Sequence, residues 1–380
     1  MRILHCIHSV DPAIGGPLEA LRQSTRVLCQ RGHQVEVACL DAAGAAGVAE
    51  FPASVHALGR GRGSYGYSPQ FVPWIRAHHA HFDCVVVHGI WQYHSFGVWR
   101  ALHATATPYY VFPHGMLDPW FNRTYPLKHL KKLLYWPWAE YRVLRDAAAV
   151  LFTSEEERRL ARQSFALYRC REIVVKFGTA APDPDLRAAR EKFLEEFPAL
   201  RGQNFLLFLG RIHAKKGVEE LIRALAQAPT EHLVIAGPCA DESYLANLLR
   251  LTNELQARER IRFTGMLGGE RKWGAFAAAD AFILPSHQEN FGIAVVEALA
   301  CGTPVLISNQ INIWREIVAD RAGFAEQDDL AGTKRLLERW NATAADERKA
   351  MGARAKISFA RRFEINRAVD SLLAVLADKS

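Results

Sequence analysis

The sequence predicts an α/β protein of two units, each a parallel sheet with helices on both faces. Three observations lead to that reading. At 380 residues the chain is longer than one hydrophobic core usually serves. Short runs that are apolar on both faces, DCVVVHG (83–89), AAVLFTS (148–154) and NFLLFLG (204–210), alternate with longer helix-like stretches, the pattern of strands covered on both sides. A polar, proline-bearing segment, TAAPDPD (179–185), divides the series in two.

The first unit opens with strand RILHCIHSV (2–10), a turn DPAIGG (11–16) and a helix over 17–31. Pro17 suits a first helical turn, where its missing N–H goes unused, and Gly32 stops the helix before strand QVEVACL (34–40). Residues 41–80 are rich in Ala and Gly and read as irregular, with RGRGSYGYSP (60–69) as a loop. Strands follow at 83–89, 107–115 and 148–154, the last delivering a helix from Glu155, and IVVKFG (173–178) is the final strand. The second unit runs through strand 204–210, helix 216–228, strand 232–237, helix 241–256, strand 261–265, helix 270–278 and strand FILP (282–285). Helix IAVVEALACG (293–302), strand TPVLIS (303–308) and a loop and helix over 309–322 follow. In the last helix, 361–377, Ile365, Val369, Leu372 and Leu373 are spaced for one face. The units are drawn at 1–180 and 181–360, with 361–380 as the closing helix.

Composition removes several classes. With 49% apolar residues the chain is not disordered. Its seven cysteines are scattered, with no CxxC and no His/Cys metal spacing, as for buried free thiols in a reducing compartment. The N-terminus does not read as a signal peptide and no run approaches a membrane span, so the expected location is the cytosol, at most on the inner face of a membrane. The net charge of +7 is uneven: residues 1–180 hold 20 Lys/Arg against 13 Asp/Glu, and residues 181–380 hold 27 of each. Twelve of the fifteen histidines also lie in the first half. An anionic partner for the first unit is implied, against the bland alternative of a basic solvated face. No zinc finger, RNP motif or continuous basic helix speaks for nucleic acid. A lipid-phosphate acceptor or an anionic membrane surface fits better.

The chemistry concentrates in FILPSHQENFGIAVVEALACGTPVLIS (282–308), where Glu289 and Glu297 stand eight positions apart around a helix mouth. Each alone reads as an ordinary surface acid. Together they mark a junction of strand, polar turn and helix N-terminus, where α/β proteins bind oxygen-rich ligands. Gly210-Arg211 and Lys215-Lys216-Gly217 form a second such junction, with a fork donor, an ammonium and helix amides able to meet a diphosphate. Gly15-Gly16 lets backbone amides approach an anion, or is simply a tight turn. There is no GxGxxG, so nicotinamide binding is unsupported. His114 ends the YYVFPHG strand, as a ligand contact or a capping or core histidine. Asp11, His88, Trp91, His94, Asp118, Trp120 and Arg123 are candidates for the acceptor side. Lys128, Lys131, Lys132 and Trp136 lie on a short helix that reads equally as an interfacial patch or as a packed helix with solvated lysines. His213 and His287 border the second unit's junctions, as site or loop residues.

The two glutamates with Pro285-Ser286 and the Gly302-Thr303-Pro304 turn resemble the signature of retaining glycosyltransferases of family 4. The WQYHS and PHGMLDPW stretches resemble members that build bacterial exopolysaccharide or lipopolysaccharide. The resemblance runs over nearly the whole chain. It implies a GT-B fold, two Rossmann-like domains facing a central cleft, with the last helix crossing back to the first domain. It implies that Glu289, with the amides of Asn290, Phe291 and Gly292, holds the donor sugar and that Glu297 bonds to the nucleotide ribose. Arg211 and Lys216 take the pyrophosphate, Gly15 and Gly16 lie over the donor phosphates, and His114 contacts a sugar hydroxyl.

No nucleophilic carboxylate is evident by motif, although retention usually calls for one. The family's favoured account is front-face attack, in which the departing phosphate takes the acceptor's proton and the enzyme supplies positioning and electrostatics. Two cations then do the neutralising, and neither metal nor cofactor is required. The expected reaction moves a hexose from a UDP- or GDP-sugar to a saccharide or lipid-diphosphate-linked saccharide in surface polysaccharide synthesis, by a monomer or weak dimer. The competing readings are a nucleotide-sugar epimerase or hydrolase of the same fold, and a non-catalytic sugar-nucleotide-binding protein.

Overall fold

The computed structural model of the protein describes residues 1–12, 15–183, 185–228 and 232–378, with the side chain of Arg123 outside the description. In chain order the first elements are β1 (Arg2–Ile7), α1 (Gly16–Gln30), β2 (Gln34–Cys39), β3 (Ser54–Ala57), α2 (Phe71–His78), β4 (Cys84–His88) and α3 (Tyr93–Leu102). Next come β5 (Tyr109–Phe112), α4 (Trp120–Thr124), α5 (Pro126–Tyr135), α6 (Glu140–Arg145), β6 (Ala149–Phe152), α7 (Glu155–Ala161) and β7 (Glu172–Val174). They are followed by α8 (Leu186–Glu196), β8 (Phe205–Leu209), α9 (Val218–Ala226), β9 (His232–Ala236), α10 (Glu242–Glu254), β10 (Ile261–Gly265) and α11 (Gly269–Ala278). The rest are β11 (Ala281–Leu284), α12 (Ile293–Cys301), β12 (Val305–Ser308), α13 (Trp314–Ala319), β13 (Gly323–Glu326), α14 (Leu330–Ala342), α15 (Ala345–Ser358) and α16 (Ile365–Ala377).

Two compact units result. One comprises Met1–Gly178 with Ile365–Ser380, the other Thr179–Glu364. The first holds a seven-stranded sheet in the order β3-β2-β1-β4-β5-β6-β7, the second a six-stranded sheet in the order β10-β9-β8-β11-β12-β13. All the pairings are parallel. Burial on both faces explains why the strands are continuous apolar runs. In the first unit Leu4, Val85, Val87 and Val111 face a core built with α2 and α3, while Ile3, Val35, Val86 and Tyr110 face the opposite way. Val369, Leu372 and Leu376 of α16 fill that second face, and Arg31, just past α1, holds the helix through Asp370 at 2.5 Å and Asn366 Oδ1 at 3.0 Å.

Each sheet has one point at which the strand order reverses, β1 beside β4 in the first unit and β8 beside β11 in the second. Adjacent loops there diverge to opposite faces, leaving a crevice beyond the carboxyl ends of the strands. The sequence reading differs in places. Residues 41–80 contain β3 and α2, residues 186–196 form α8, and β13, α14 and α15 follow α13. Short or weakly patterned segments such as these gain their structure from packing on a sheet rather than from their own periodicity.

Candidate active site

In the second unit the switch point is formed by the loops after β8 and β11. The β8 loop passes through Gly210 and Arg211 into a tight turn at Ala214–Lys216, whose entry is capped by the His213 ring: its Nδ1 accepts from Lys215 N at 3.0 Å. Gly217 then turns the chain into α9 with φ +67°, and a Cβ there would stand 2.3 Å from the Pro285 carbonyl oxygen. Only glycine allows that approach. The two loops are stitched by His287 N donating to the Lys215 carbonyl at 2.8 Å, and by Lys215 Nζ donating to Gln288 Oε1 at 2.8 Å.

The consequence is that Lys216 and Glu289 meet. The ammonium donates directly to Glu289 Oε2, with both side chains mostly buried. Burial, then repulsion from Lys215 and Arg211, pulls the Lys216 pKa down to about 7. The Glu289 carboxylate is therefore what favours the charged lysine. Glu289 is itself fixed by its backbone, its N donating to the Gln310 carbonyl at 3.1 Å and its carbonyl accepting from Asn312 N at 3.1 Å. Arg211 beside this pair is exposed. Asn290 accepts from Asn312 Nδ2 at 3.1 Å, while the Phe291 ring is buried edge-on against Phe363 and so is not a ligand contact. Gly292, with φ +73°, turns the loop into α12.

Glu297 is 4% exposed, one face of α12 inward, and accepts from Lys272 of α11 at 2.6 Å. Sequence reasoning missed Lys272, because a lysine in GERKWGAF looks like a solvated helix residue and only the packing of α11 beside α12 pairs it. His287, which the sequence placed at the border of this junction, has ion-pair partners that the sequence did not disclose. Asp328, at 2.9 Å, and Glu220, at 3.7 Å, raise its pKa to about 10, so it is an imidazolium tying the loop after β11 to α9 and the loop after β13.

The first unit gathers a different set. Gly15, with φ +90°, leads into α1, whose first residue is Gly16; a Cβ at Gly15 would meet nothing within 4 Å, so backbone conformation rather than crowding calls for glycine. Asp11 is exposed before it. His114 follows β5 in the left-handed region at φ +50° and is half-buried. That turn is held from below by Glu157, which sequence reasoning passed over. Its Oε1 accepts from Gly115 N at 2.6 Å, and its Oε2 accepts from Thr153 N and Oγ1, both at 2.7 Å. The Ser154 hydroxyl caps α7 by accepting from Glu157 N at 3.1 Å, so the capped first turn of the helix fixes the residue that braces the His114 turn.

Several acceptor and surface candidates lie elsewhere than expected. His94 is fully buried and donates from Nε2 to the His88 carbonyl at 2.9 Å, so a direct acceptor contact is withdrawn for it. His88 is buried between two other histidine rings. Trp91 donates its indole N–H to the Met116 carbonyl at 3.1 Å and packs among Trp136 and Phe165, and Asp118 is spent on the start of α4, accepting from Trp120 N at 2.8 Å. Trp120 is half-buried, edge-on to Phe121 and Tyr125. Trp136 is not a surface residue: it is 4% exposed, stacked 4.6 Å from Phe165, with its N–H on the Ala166 carbonyl. Lys132 also turns inward, lying 4.6 Å over the Trp91 ring, and burial lowers its pKa to about 8 against the opposing pull of Glu140. That Glu140 is buried and pushed up to about 7 by desolvation, while accepting from Trp91 N at 2.7 Å and Ser95 Oγ at 2.8 Å.

What α5 does expose is apolar. It buries none of its residues; Leu127 is 80% and Leu134 71% exposed, with Leu130 and Leu133 also outward, Lys128 and Lys131 beside them, and Trp138 exposed just beyond the helix. No helix among the described residues is long and apolar enough to cross a membrane.

Comparison with known proteins gives these clusters a context. A family model described as Glycosyl transferase 4-like domain matches residues 15–178, and one described as Glycosyl transferases group 1 matches residues 189–357. A D-inositol 3-phosphate glycosyltransferase of Mycolicibacterium gilvum is 36% identical over 174 residues, 44% of this chain and 38% of that protein, so well under half of the relative's length is spanned. Among solved structures, a sucrose-phosphate synthase from Thermosynechococcus elongatus superposes with a TM-score of 0.81 at 20% identity, covering 99% of this chain and 98% of that one. Anabaena HepE in complex with UDP-glucose gives 0.78 at 18% identity, covering 99% of each. At such identities the structural likeness carries the fold alone. With both units matched in sequence, and the two parallel sheets laid out as in these structures, the chain belongs to the group 1 glycosyltransferases of family 4 and has the GT-B fold.

Proposed function

We propose that the protein is a retaining, metal-independent hexosyltransferase that uses a UDP- or GDP-sugar and a saccharide or lipid-diphosphate-linked saccharide acceptor in bacterial surface polysaccharide synthesis. The observation that carries this reading is the Lys216–Glu289 contact at the β8/β11 switch point, with Arg211 exposed beside it. A diphosphate at those strand ends competes with Glu289 for the ammonium. Phosphate oxygens take the Lys216 donor and the Arg211 fork, and the displaced carboxylate accepts from sugar hydroxyls. The negative charge that builds on the leaving group as the glycosidic bond breaks then faces two cations, which is the electrostatic help the reaction needs without a metal. We assign Glu297, held by Lys272, to the ribose, and Gly15, Gly16 and His114 of the first unit to the phosphates and a sugar hydroxyl.

The acceptor side is assigned to the basic first unit. We assign α5 to an anionic bilayer: its exposed leucines suit the acyl boundary and Lys128 and Lys131 the phosphates. Trp136 and Lys132 have no part in that surface.

The test is transfer itself. A calorimetric screen of UDP, GDP, ADP and TDP and their sugars identifies the donor, and product analysis separates transfer from hydrolysis or epimerisation. K216A and E289A are expected to keep the wild-type circular dichroism and to lose transfer by about a hundredfold or more. Near-wild-type turnover in both variants overturns the assignment.

A further inference from the structure

Three neutral imidazoles form a hydrogen-bonded chain through the first unit. His5 on β1 and His88 at the end of β4 line a cavity beneath α1 and α16, and His114 lies just beyond β5. His5 Nδ1 lies 2.9 Å from His88 Nε2, and His88 Nδ1 lies 3.1 Å from His114 Nε2. The His88 ring is nearly parallel to those of Phe112 and His114, at interplanar angles of 15° and 17°, so neither can rotate freely. Burial holds the pKa of His5 down to about 3, that of His114 to about 4 and that of His88 well below the usual range, so all three rings are uncharged near neutral pH.

A neutral imidazole has one N–H and one bare nitrogen. Two hydrogen bonds joining three such rings therefore have only two polarities. In one, His5 Nδ1–H donates to His88, His88 Nδ1–H donates to His114 Nε2, and His114 keeps an N–H on Nδ1. In the other every proton moves to the opposite nitrogen, and His5 is left with an N–H on Nε2. That Nε2 is buried beside a cavity whose lining includes Leu21, Ser24, Val369 and Leu372, and among the described residues no group stands within hydrogen-bond distance of it. A stranded buried N–H is the rarer and costlier defect; a bare ring nitrogen is tolerated more readily. The same unit supplies a precedent. His94 must carry its proton on Nε2, which faces the His88 carbonyl, and its buried bare Nδ1 has no partner.

We infer that His5 and His88 are positioning residues that lock His114 as the Nδ1–H tautomer, so that it meets its ligand as a hydrogen-bond donor and not as a base. The inference rests on the reading above only in naming the ligand, a sugar oxygen. The tautomer is a property of the protein alone, so the two can fail separately. A donor fixed in this way suits front-face transfer, in which the leaving phosphate and not a side chain takes the acceptor's proton.

The test is long-range ¹H–¹⁵N correlation spectroscopy of the full chain labelled at histidine, with resonances assigned from single substitutions. In the wild type, His114 is expected to show a protonated Nδ1 and a bare Nε2, and His5 a bare Nε2. H5F, which removes the first donor of the chain, is expected to abolish the single-tautomer pattern of His114 and to lower turnover while leaving nucleotide affinity unchanged. A wild-type His114 protonated at Nε2 overturns the inference, whatever the activity. So does a His114 signature unmoved in a folded H5F protein. If H5F fails to fold, the wild-type spectrum alone decides.

Discussion

His287 joins three parts of the second unit through one titratable ring. Its folded pKa, raised to about 10 by Asp328 and then Glu220, lies above the ordinary value of 6.5 expected once the chain unfolds. A raised pKa stabilises the fold fully below the unfolded value, and the contribution drains away as pH climbs toward the folded one. The difference in melting temperature between wild type and H287Q is therefore expected to be largest near pH 6 and to shrink steadily toward pH 10. A constant gap across that range contradicts the ion pairing. At this scale the sequence disclosed groups whose spacing is local: Glu289 and Glu297 flank one helix mouth, and Lys216 precedes another. It did not disclose Lys272, Glu157 or His5, whose partners lie 25, 42 and 83 positions away. It also read His94 and Trp136 as reachable, because nothing along the chain distinguishes an aromatic facing a neighbouring helix from one facing water.

At the scale of elements, α5 breaks the usual rule that an amphipathic helix turns its leucines inward. Contiguous exposed apolar surface of this kind marks an interaction site. Replacing Leu127, Leu130 and Leu134 together with Gln is expected to lower partition onto phosphatidylglycerol-containing vesicles by about tenfold or more, since the roughly 1.5 kcal/mol of apolar transfer given up by even one leucine is already that factor. Nucleotide affinity should not change. Unaltered sedimentation with vesicles would remove the surface from consideration. The strands were legible because double-sided burial writes itself as unbroken apolar runs. Helices such as α8, which buries only Ala189, Phe193 and Leu194 of its eleven residues, leave a faint pattern. For α15, whose buried residues are Met351, Ala355 and Ser358, tertiary packing against its neighbours decides the structure.

At the scale of the molecule, the divisions fall at 178/179 and 364/365, against 180/181 and 360/361 drawn from the sequence. The charge asymmetry was plain from counting, whereas the crowding of six or seven strands into a particular order was not, since pairing is set by contacts far apart along the chain. One helix matters out of proportion here. Ending the chain at Glu364 strips Ile365, Val369, Leu372 and Leu376 from the first unit. At about 1.5–3 kcal/mol each, that is roughly 6–12 kcal/mol, comparable with the whole stability of a domain. The shortened protein is expected to lose residues 1–178 rapidly to protease while a fragment near 179–364 survives. Equal resistance of both parts would show that α16 is dispensable.

The same helix sets a timetable. During synthesis the β1–β7 sheet emerges before the second unit, but the segment that closes its Ile3, Val86 and Tyr110 face follows that unit in the chain. The later-made unit is thus the earlier one finished, and the nascent first sheet must wait with a bare greasy side through the translation of some 186 further residues, the stretch of chain most in need of a chaperone.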